Sequence, residues 1–332
     1  LSANNDLPNG EMENKNLRIY AAAIKRVAEF HGVNYIDMFW SSKKRMEKES
    51  EAQTINGFAL TSAAYKWFGN RLSRQIYPAK NSRPVAQYND VYDTVDEKNW
   101  FWRNDYAILN GVHVYGRRYK PFGNENYPEE IEKNRQMTQL RDAAIHRVAQ
   151  GEIEDVRVDD STTRSLTDIE TNFDRPIEFL DVEKALESFD LPAGFEIDLF
   201  ASESEFPELR NPVQMSWDNQ GRLWVAVIPS YPHYKPGDDK PNDKLLIFED
   251  TDGDGRADRQ KVFADGLHMP IGFELAHDGV VYLAQQPNLV RLVDEDGDDR
   301  VDRTDILVHG FDPHDTHHSI SAFSADPSGA IY

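Results

Sequence analysis

The sequence predicts a multidomain protein in which a partial α/β portion is followed by an all-β portion. Over residues 17–76 amphipathic helical patterns alternate with one short apolar run, which is the order of elements in a layered α/β domain. From residue 191 onward, short apolar runs are separated by glycine- and aspartate-rich turns, and no helical pattern interrupts them. Such a pattern is typical of consecutive β-strands.

Four segments follow from these patterns. Residues 1–80 are predicted to form the α/β portion, with a helix from Leu17 that Gly32 stops, a buried strand at 34–39 and a helix at 61–76. Residues 81–150 hold an aromatic connector of no clear period and a helix that begins at Pro128. Residues 151–190 are acidic and rich in Ser and Thr, as in a linker. Residues 191–332 form the all-β portion.

The all-β portion contains a repeated acidic loop. "DTDGDGRAD" begins at Asp250, and "DEDGDDRVD" begins at Asp294, 44 residues later. Each loop lies between two predicted strands. A second motif, with a turn glycine before an apolar strand, recurs at 216–226, 276–285 and 325–332. A strand-only repeat of this length predicts the blades of a β-propeller, of which these residues would supply about three. The predicted strands include 195–201, 221–228, 244–250, 259–266, 279–285 and 289–295.

The acidic loops have two interpretations. A calcium loop of the EF-hand type requires flanking helices and a carboxylate at its twelfth position, where the first loop has Lys261. The second loop has Asp305 there, but Asp299 replaces the glycine of the sixth position. We therefore expect hairpin tips, which either bind calcium or are solvated turns. The candidate calcium ligands are Asp250, Asp252, Asp254, Asp258, Asp294, Asp296, Asp298 and Asp302.

Charge and composition exclude several classes of function. The formal net charge is −21, which argues against a nucleic-acid partner because phosphate binding needs a basic face. The sequence has no cysteine, so it has no disulfide, thiolate metal site or thiol nucleophile. No apolar run reaches membrane-spanning length. Because the sequence begins without methionine and ends inside a predicted strand, we expect it to be part of a longer protein.

The all-β portion resembles a known family. The stretches that carry the resemblance are "NPVQMSWDNQGRLWVA", "KLLIFEDTDGDGRADRQKVFADGL", "DEDGDDRVD" and "GFDPHDTHHSISAFSADPSGAIY". They resemble the quinoprotein glucose/sorbosone dehydrogenase propellers, above all the "membrane-bound dehydrogenase" type of planctomycetes and verrucomicrobia. The resemblance implies an oxidoreductase that acts on a sugar or polysaccharide, with PQQ and calcium as cofactors and a periplasmic or extracellular location. A haem-attaching CxxCH segment, common in such proteins, could lie only outside this sequence.

The same resemblance implies a catalytic base. In the family, a histidine shortly before a G-P-D-G turn takes the proton from the substrate hydroxyl. The matching turn here is "DPSG" (326–329), and the histidine at the matching distance is His318, with His317 beside it. Adjacent strand residues face opposite sides, so only one of the two histidines can line a central channel. Two alternatives stay open: a structural histidine, or a metal cluster with His314 and Asp315.

The first portion resembles the C-terminal part of an SGNH (GDSL-like) hydrolase over about residues 15–78. The stretches "IKRVAEFHGVNYIDMF" and "INGFALTSAAYKWFGNRL" carry this resemblance. Active members have D-x-x-H, whereas this sequence has Asn56 and Ala59. Alanine has no atom that accepts a proton, which predicts an inactive copy. The alternatives to the dehydrogenase are a carbohydrate-binding propeller without redox chemistry and an ester hydrolase that acts on acylated polysaccharide.

Overall fold

The structure is a computed structural model that describes residues 10–54, 59–77, 88–114, 123–153, 156–167, 180–277, 279–326, 328 and 330–332. The chain divides into two compact units, Leu1–Pro84 and Val85–Tyr332. The helices are α1 (Gly10–His31), α2 (Phe39–Lys48), α3 (Ser62–Ile76), α4 (Tyr88–Asn104), α5 (Gly123–Gln150) and α6 (Val182–Glu187). None of the helices within the described residues is both long and apolar enough to cross a bilayer.

The first unit is helical in its described part. Two of its helices, α1 and α3, confirm the sequence prediction, although α1 begins earlier, at Gly10. Gly32 follows α1 with φ of +65°, the left-handed conformation that ends many helices. Thr61 caps α3, because its hydroxyl accepts a hydrogen bond from the backbone N–H of Ala64 at 3.3 Å.

The predicted strand at 34–39 is wrong. Residues 33–38 have no regular secondary structure, and Phe39 begins α2. The Asp37 carboxylate accepts a hydrogen bond from the Phe39 N–H at 2.9 Å, which turns the chain into the helix. A strand needs a partner for its backbone groups. In the described part of this unit, β pairing is limited to a single bridge between Thr54 and Leu60.

The aromatic connector of the second unit is the helix α4, which pairs with α5. Lys98 binds Asp142 at 2.9 Å, and Phe101 accepts a hydrogen bond from Asn134 at 2.6 Å. As the position in α4 increases, the partner in α5 decreases, so the two helices form an antiparallel hairpin. The predicted start of α5 at Pro128 is wrong, because the helix begins at Gly123.

Eight strands form two four-stranded sheets in the second unit. They are β1 (Pro212–Trp217), β2 (Leu223–Val227), β3 (Asp243–Glu249), β4 (Arg259–Leu267), β5 (Pro270–Leu275), β6 (Val280–Gln285), β7 (Asn288–Val293) and β8 (Arg303–His309). The first sheet has the order β1-β2-β3-β4 and the second β5-β6-β7-β8, with antiparallel neighbours throughout. The predicted strand at 195–201 is wrong: these residues pair with no strand of either sheet, and Phe195 is 69% exposed.

The registers confirm the predicted repeat. The pairs Glu249↔Arg259 and Val293↔Arg303 close hairpins around the two aspartate loops, 44 residues apart. The loops are therefore hairpin tips, as predicted. The preceding hairpins, closed by Trp217↔Leu223 and Leu275↔Val281, repeat at 58 residues. The difference of 14 residues lies between β2 and β3, where the first sheet has the long loop 228–242 and the second has a two-residue turn.

Antiparallel strands reverse direction at each turn, so the connections alternate between two ends of the sheets. We call one the aspartate end, because it carries the loops 250–258 and 294–302. The opposite end is the histidine end. It carries the loop 228–242, the connection 268–269 and the turn 286–287, and the chain leaves β8 there toward His314 and His318.

The two sheets stack face to face around an apolar core. Trp224, Ile247 and Phe263 of the first sheet pack against Phe273 and Leu283 of the second, and each is at most 5% exposed. Burial of such side chains supplies most of the stabilisation, at about 1.5–3 kcal/mol each. A polar bridge accompanies this core.

The polar bridge is the side-chain amide of Gln214 in β1. Its Nε2 donates to the Phe273 carbonyl at 2.8 Å, and its Oε1 accepts from the Phe273 N–H at 2.7 Å. The amide thus joins the edge strands of the two sheets, β1 and β5, and satisfies both backbone groups of Phe273.

We expect Gln214→Leu to lower the free energy of unfolding by about 1–3 kcal/mol, because both backbone groups of Phe273 lose their partner. Urea unfolding followed by tryptophan fluorescence measures this loss. Gln220→Leu is the control, because Gln220 lies on an exposed turn and its substitution should change stability by less than about 0.5 kcal/mol. Equal effects of the two substitutions would contradict the bridging role.

Candidate functional site

Backbone donors within the first aspartate loop hold its carboxylates. Asp250 accepts hydrogen bonds from the N–H of Gly253 at 2.7 Å and of Gly255 at 2.9 Å. These bonds, that of Gly255 most strongly, lower the pKa of Asp250. Asp258 accepts from both the N–H and the hydroxyl of Thr251, at 3.0 and 2.8 Å. The loop is therefore an ordered turn built from its own groups.

The second aspartate loop repeats this network. Asp294 accepts from the N–H of Gly297 at 2.7 Å and of Asp299 at 3.0 Å, and Asp302 accepts from the N–H of Glu295 at 2.7 Å. Each of these contacts lies 44 positions after its counterpart in the first loop. The sequence repeat is thus a repeat of hydrogen bonds.

The structure brings six of the eight predicted calcium ligands into two groups. Within each group, one carboxylate oxygen per residue lies within 4.8 Å of the others. The groups are Asp250, Asp252 and Asp254 in the first loop, and Asp294, Asp296 and Asp302 in the second. Asp258 and Asp298 fall outside these groups. Carboxylate oxygens are the ligands that calcium prefers, so each group can hold such an ion.

Asp299 distinguishes the second loop from the first. It has φ of +66° at the position where the first loop has Gly255. Its carboxylate binds Arg222, in the turn before β2, at 2.8 Å, and Lys261 in β4. Partial burial opposes ionisation of Asp299, but the hydrogen bonds from Lys261 and Arg222 outweigh it and lower the pKa. The second loop is therefore attached to the first sheet through charge.

The predicted base His318 lies at the histidine end in a short 3-10 turn, Thr316–His318. Its Nδ1 is 3.0 Å from a carboxylate oxygen of Asp315. The His318 side chain is 59% exposed and that of Asp315 is 13% exposed. Both residues line an open hollow of about 370 Å³, together with Phe311, Asp312, His314, Ser319 and Ile320. The side chain of His317 is outside the described residues.

A buried asparagine of the connector holds the segment before His318. Asn110 has no exposed surface, and its backbone N–H donates to the carbonyl of Pro313 at 2.8 Å. Its side-chain oxygen accepts from the Thr316 N–H at 3.3 Å, and its amide nitrogen donates to the carbonyl of Pro232 at 2.7 Å. One side chain thus fixes two segments of the histidine end relative to each other.

A second polar cluster joins α5 to the loop 228–242. His233 Nε2 lies 2.6 Å from Glu130 Oε2, and both side chains are at most 6% exposed. The pair borders a cavity that Asn134 and His268 also line. Burial, and to a smaller extent the charge of His233, lowers the pKa of His268 to about 4.

A buried carboxylate anchors the same loop to the sheet. Asp243, the first residue of β3, has no exposed surface. It accepts from the N–H of Ser230 at 3.0 Å, the hydroxyl of Ser230 at 2.5 Å and the N–H of Met269 at 2.6 Å. Burial raises the pKa of Asp243, against the effect of these donors.

Sequence reasoning missed these residues of the histidine end. Glu130, His233 and His268 match no motif in the sequence. The available signal was the mismatch between the 58- and 44-residue repeats, which marks the loop 228–242 as an addition to one repeat. Asn110 left no such signal, because its partners are more than 100 positions away in sequence.

The predicted degenerate hydrolase positions are described only in part. Asn56 is outside the described residues. Ala59 precedes Leu60, which is 4% exposed and pairs with Thr54 in the isolated bridge. The side chain at position 59 is a methyl group, so it supplies no proton acceptor.

We expect stability to fall on acidification because of His268. The folded-state pKa of about 4 is below the unfolded value of 6.5, so between these values the unfolded chain binds the proton and the folded chain does not. Between about pH 6.5 and 5 this costs about 2 kcal/mol. Urea unfolding at both pH values should show that His268→Phe removes this component, whereas His277→Phe, at an exposed position, keeps it. An unchanged pH dependence in His268→Phe would contradict the assignment.

A family model described as "Domain of unknown function (DUF7133)" matches residues 181–332. The matched stretch contains α6, all eight strands and both aspartate loops, and it leaves out α1 to α5. No curated protein and no solved structure matches the chain. The histidine end is therefore built partly from matched residues, such as His233 and His318, and partly from Asn110 and Glu130, which precede the match.

Proposed function

We propose that residues 191–332 are the first blades of a β-propeller whose histidine end binds a sugar or a related alcohol and oxidises it. A periplasmic or extracellular location and a sugar or polysaccharide substrate belong to the same proposal. The single observation that carries the chemical part is the Asp315–His318 pair at the edge of an open hollow. The contacts between successive repeats support the architectural part.

The first strand of each sheet contacts the segment that follows that sheet in sequence, through positions 58 residues apart. Gln214 of β1 contacts the backbone of β5 at Phe273. At Gly272 of β5, an added Cβ would lie 2.9 Å from the backbone carbonyl of Ser321, so the next segment also lies directly on β5. A third hairpin starts there, with a bridge between Ala325 and Ile331. The segments β1, β5 and 321–326 thus lie next to one another in this order, as the innermost strands of successive propeller blades do.

The aspartate loops also contact the preceding segment in equivalent ways. Ala257 in the first loop donates to the Phe200 carbonyl at 2.8 Å, and Val301 in the second donates to the Phe263 carbonyl at 2.9 Å. Positions 257 and 301 are 44 residues apart. Phe263 belongs to β4, the outer strand of the first sheet, so the segment around Phe200 takes the place of an outer strand beside that sheet. A repeated rotation from one blade to the next would give this equivalence.

The geometry of His318 suits a general base. Asp315 lies against Nδ1, which favours the tautomer with a proton on Nδ1 and leaves Nε2 as the acceptor. A hydroxyl bound in the hollow could give its proton to Nε2, while the nearby carboxylate orients the ring and stabilises the imidazolium that forms. The exposed side chain of His318 is accessible to such a substrate.

The described residues of the hollow do not fit PQQ well. This quinone carries three carboxylates, and the lining offers two aspartates and, among the described side chains, no lysine or arginine. We therefore assign the hydride of the alcohol to an acceptor from solution, while the proton passes to His318 Nε2. Calcium at the aspartate loops would lie at the opposite end of the sheets from His318, so its role there would be to stabilise the hairpins.

We expect His318→Gln to reduce the rate of sugar-dependent reduction of an added acceptor dye by about 10²–10⁴-fold, because the substrate hydroxyl loses its proton acceptor. The assay follows the absorbance of the dye with a panel of sugars, and substrate binding should change little. His277→Gln, at an exposed position of the aspartate end, is the matched control. If the parent chain reduces no acceptor with any sugar, the oxidation is wrong.

A carbohydrate-binding propeller without redox chemistry is the second candidate. The acidic lining of the hollow favours it, because Asp312 and Asp315 can accept hydrogen bonds from sugar hydroxyls without any cofactor. Chemical-shift changes of the histidine end on addition of sugar, with no reduction of the added acceptor, would support this function. The first unit is proposed to be inactive as an ester hydrolase, because position 59 is alanine.

We propose calcium as a stabilising ion of the first loop, and we expect it to raise the melting temperature of the second unit. Binding at about 100 times the dissociation constant would add about 2.7 kcal/mol. The double variant Asp252→Asn, Asp254→Asn should abolish this shift, whereas Asp239→Asn, at an exposed position in another loop, should preserve it. An equal shift in both variants would show that the loop is a solvated turn.

A further inference from the structure

The cavity beside α5 is a separate feature from the His318 hollow. It lies between α5, the loop 228–242 and the connection between β4 and β5. Its volume, about 20 Å³ measured as room for the centre of a water molecule, is close to the minimum of about 10–15 Å³ that one water needs. Much of its wall is apolar, formed by Ile108, Leu109, Ile131 and Pro236.

Asn134 presents an unpartnered acceptor at this cavity. The residue is 2% exposed, and its Nδ2 donates to the Phe101 carbonyl at 2.6 Å. This bond fixes which side-chain atom is the oxygen. Oδ1 is buried and has no hydrogen-bond partner among the described residues. A buried amide oxygen without a partner is costly, so the site calls for a donor.

His268 presents a second unpartnered atom at the same cavity. Its Nε2 is buried and also has no hydrogen-bond partner in the described part of the chain. The ring is neutral near pH 7 because of its lowered pKa, so one ring nitrogen is an acceptor. The helix α5 and the connection after β4 therefore each contribute one unpartnered polar atom.

The third polar feature of the wall is already satisfied. Glu130 and His233 bind each other at 2.6 Å, so they border the cavity as a pair. A metal ion is not favoured at this cavity. Among the described residues, the groups of three acidic or histidine side chains that converge on one point lie in the aspartate loops.

We propose that this cavity binds one water molecule that bridges Asn134 Oδ1 and His268 Nε2. The water donates one hydrogen to the asparagine oxygen and exchanges a hydrogen bond with the imidazole. It would thereby tie the helical hairpin of α4 and α5 to the sheets, beside the direct contact between Glu130 and His233. The inference does not depend on the proposed function.

A high-resolution crystal structure of the whole chain tests the proposal without any variant. We expect one density peak within hydrogen-bond distance of both atoms, without anomalous signal. A dry cavity, or a peak with the short ligand distances of a metal ion, would overturn the proposal. This measurement does not depend on whether a substituted chain folds.

A double-mutant cycle supplies an independent test. Asn134→Leu and His268→Phe should each lower the folding equilibrium constant, and the double variant should lose about tenfold less than the product of the two effects, because one water is lost only once. The control cycle pairs His268→Phe with Asn104→Leu. Asn104 lines the same cavity but donates to the Trp100 carbonyl within α4, so those effects should multiply within about twofold. Multiplicative effects in the first cycle would contradict a shared water.

Discussion

The alternation of connections in antiparallel sheets determines at which end of the sheets each group of candidate site residues lies. Each strand reverses the direction of its neighbour, so the loops after β3 and β7 meet at one end and the loops after β2, β4 and β6 meet at the other. The carboxylate loops and the histidine segment cannot share a site as long as this pairing holds. The carboxylates proposed to bind calcium and the histidine proposed to accept a proton are thus separated by the length of a strand.

The histidine end depends on a departure from the repeat. The loop 228–242 accounts for the 14-residue difference between the two repeat spacings. Its Tyr234 and His233 contact α4 and α5, and its Pro232 carbonyl accepts a hydrogen bond from Asn110, between those helices. Helices outside the repeated part thereby reach the segment that carries His318. The two repeated sheets form the framework, and the irregular loop makes the contacts of this framework with α4 and α5.

Much of the sheet architecture could be predicted from sequence, because local patterns determine it. The strands β2, β3, β6 and β7 are largely apolar and β4 is apolar in part, and the aspartate loops mark the hairpins of β3 with β4 and of β7 with β8. The strand at 34–39 and the strand at 195–201 were wrong, because an apolar run specifies burial and does not specify a pairing partner. The helix α4 was missed, since its aromatic residues show no clear period. Asn110, Asp243 and the pair of Glu130 with His233 are long-range contacts that no local pattern encodes.

The two hairpin tips share their hydrogen bonds but not their source of neutralising charge. The second tip has Asp299, which binds Arg222 in the turn before β2 and Lys261 in β4, whereas the first has Gly255 at the equivalent position and gains no such pair there. The second loop therefore has cationic side chains beside it at this position, whereas the first has no such ion pair at Gly255. A dissolved cation should consequently act more strongly on the first tip than on the second.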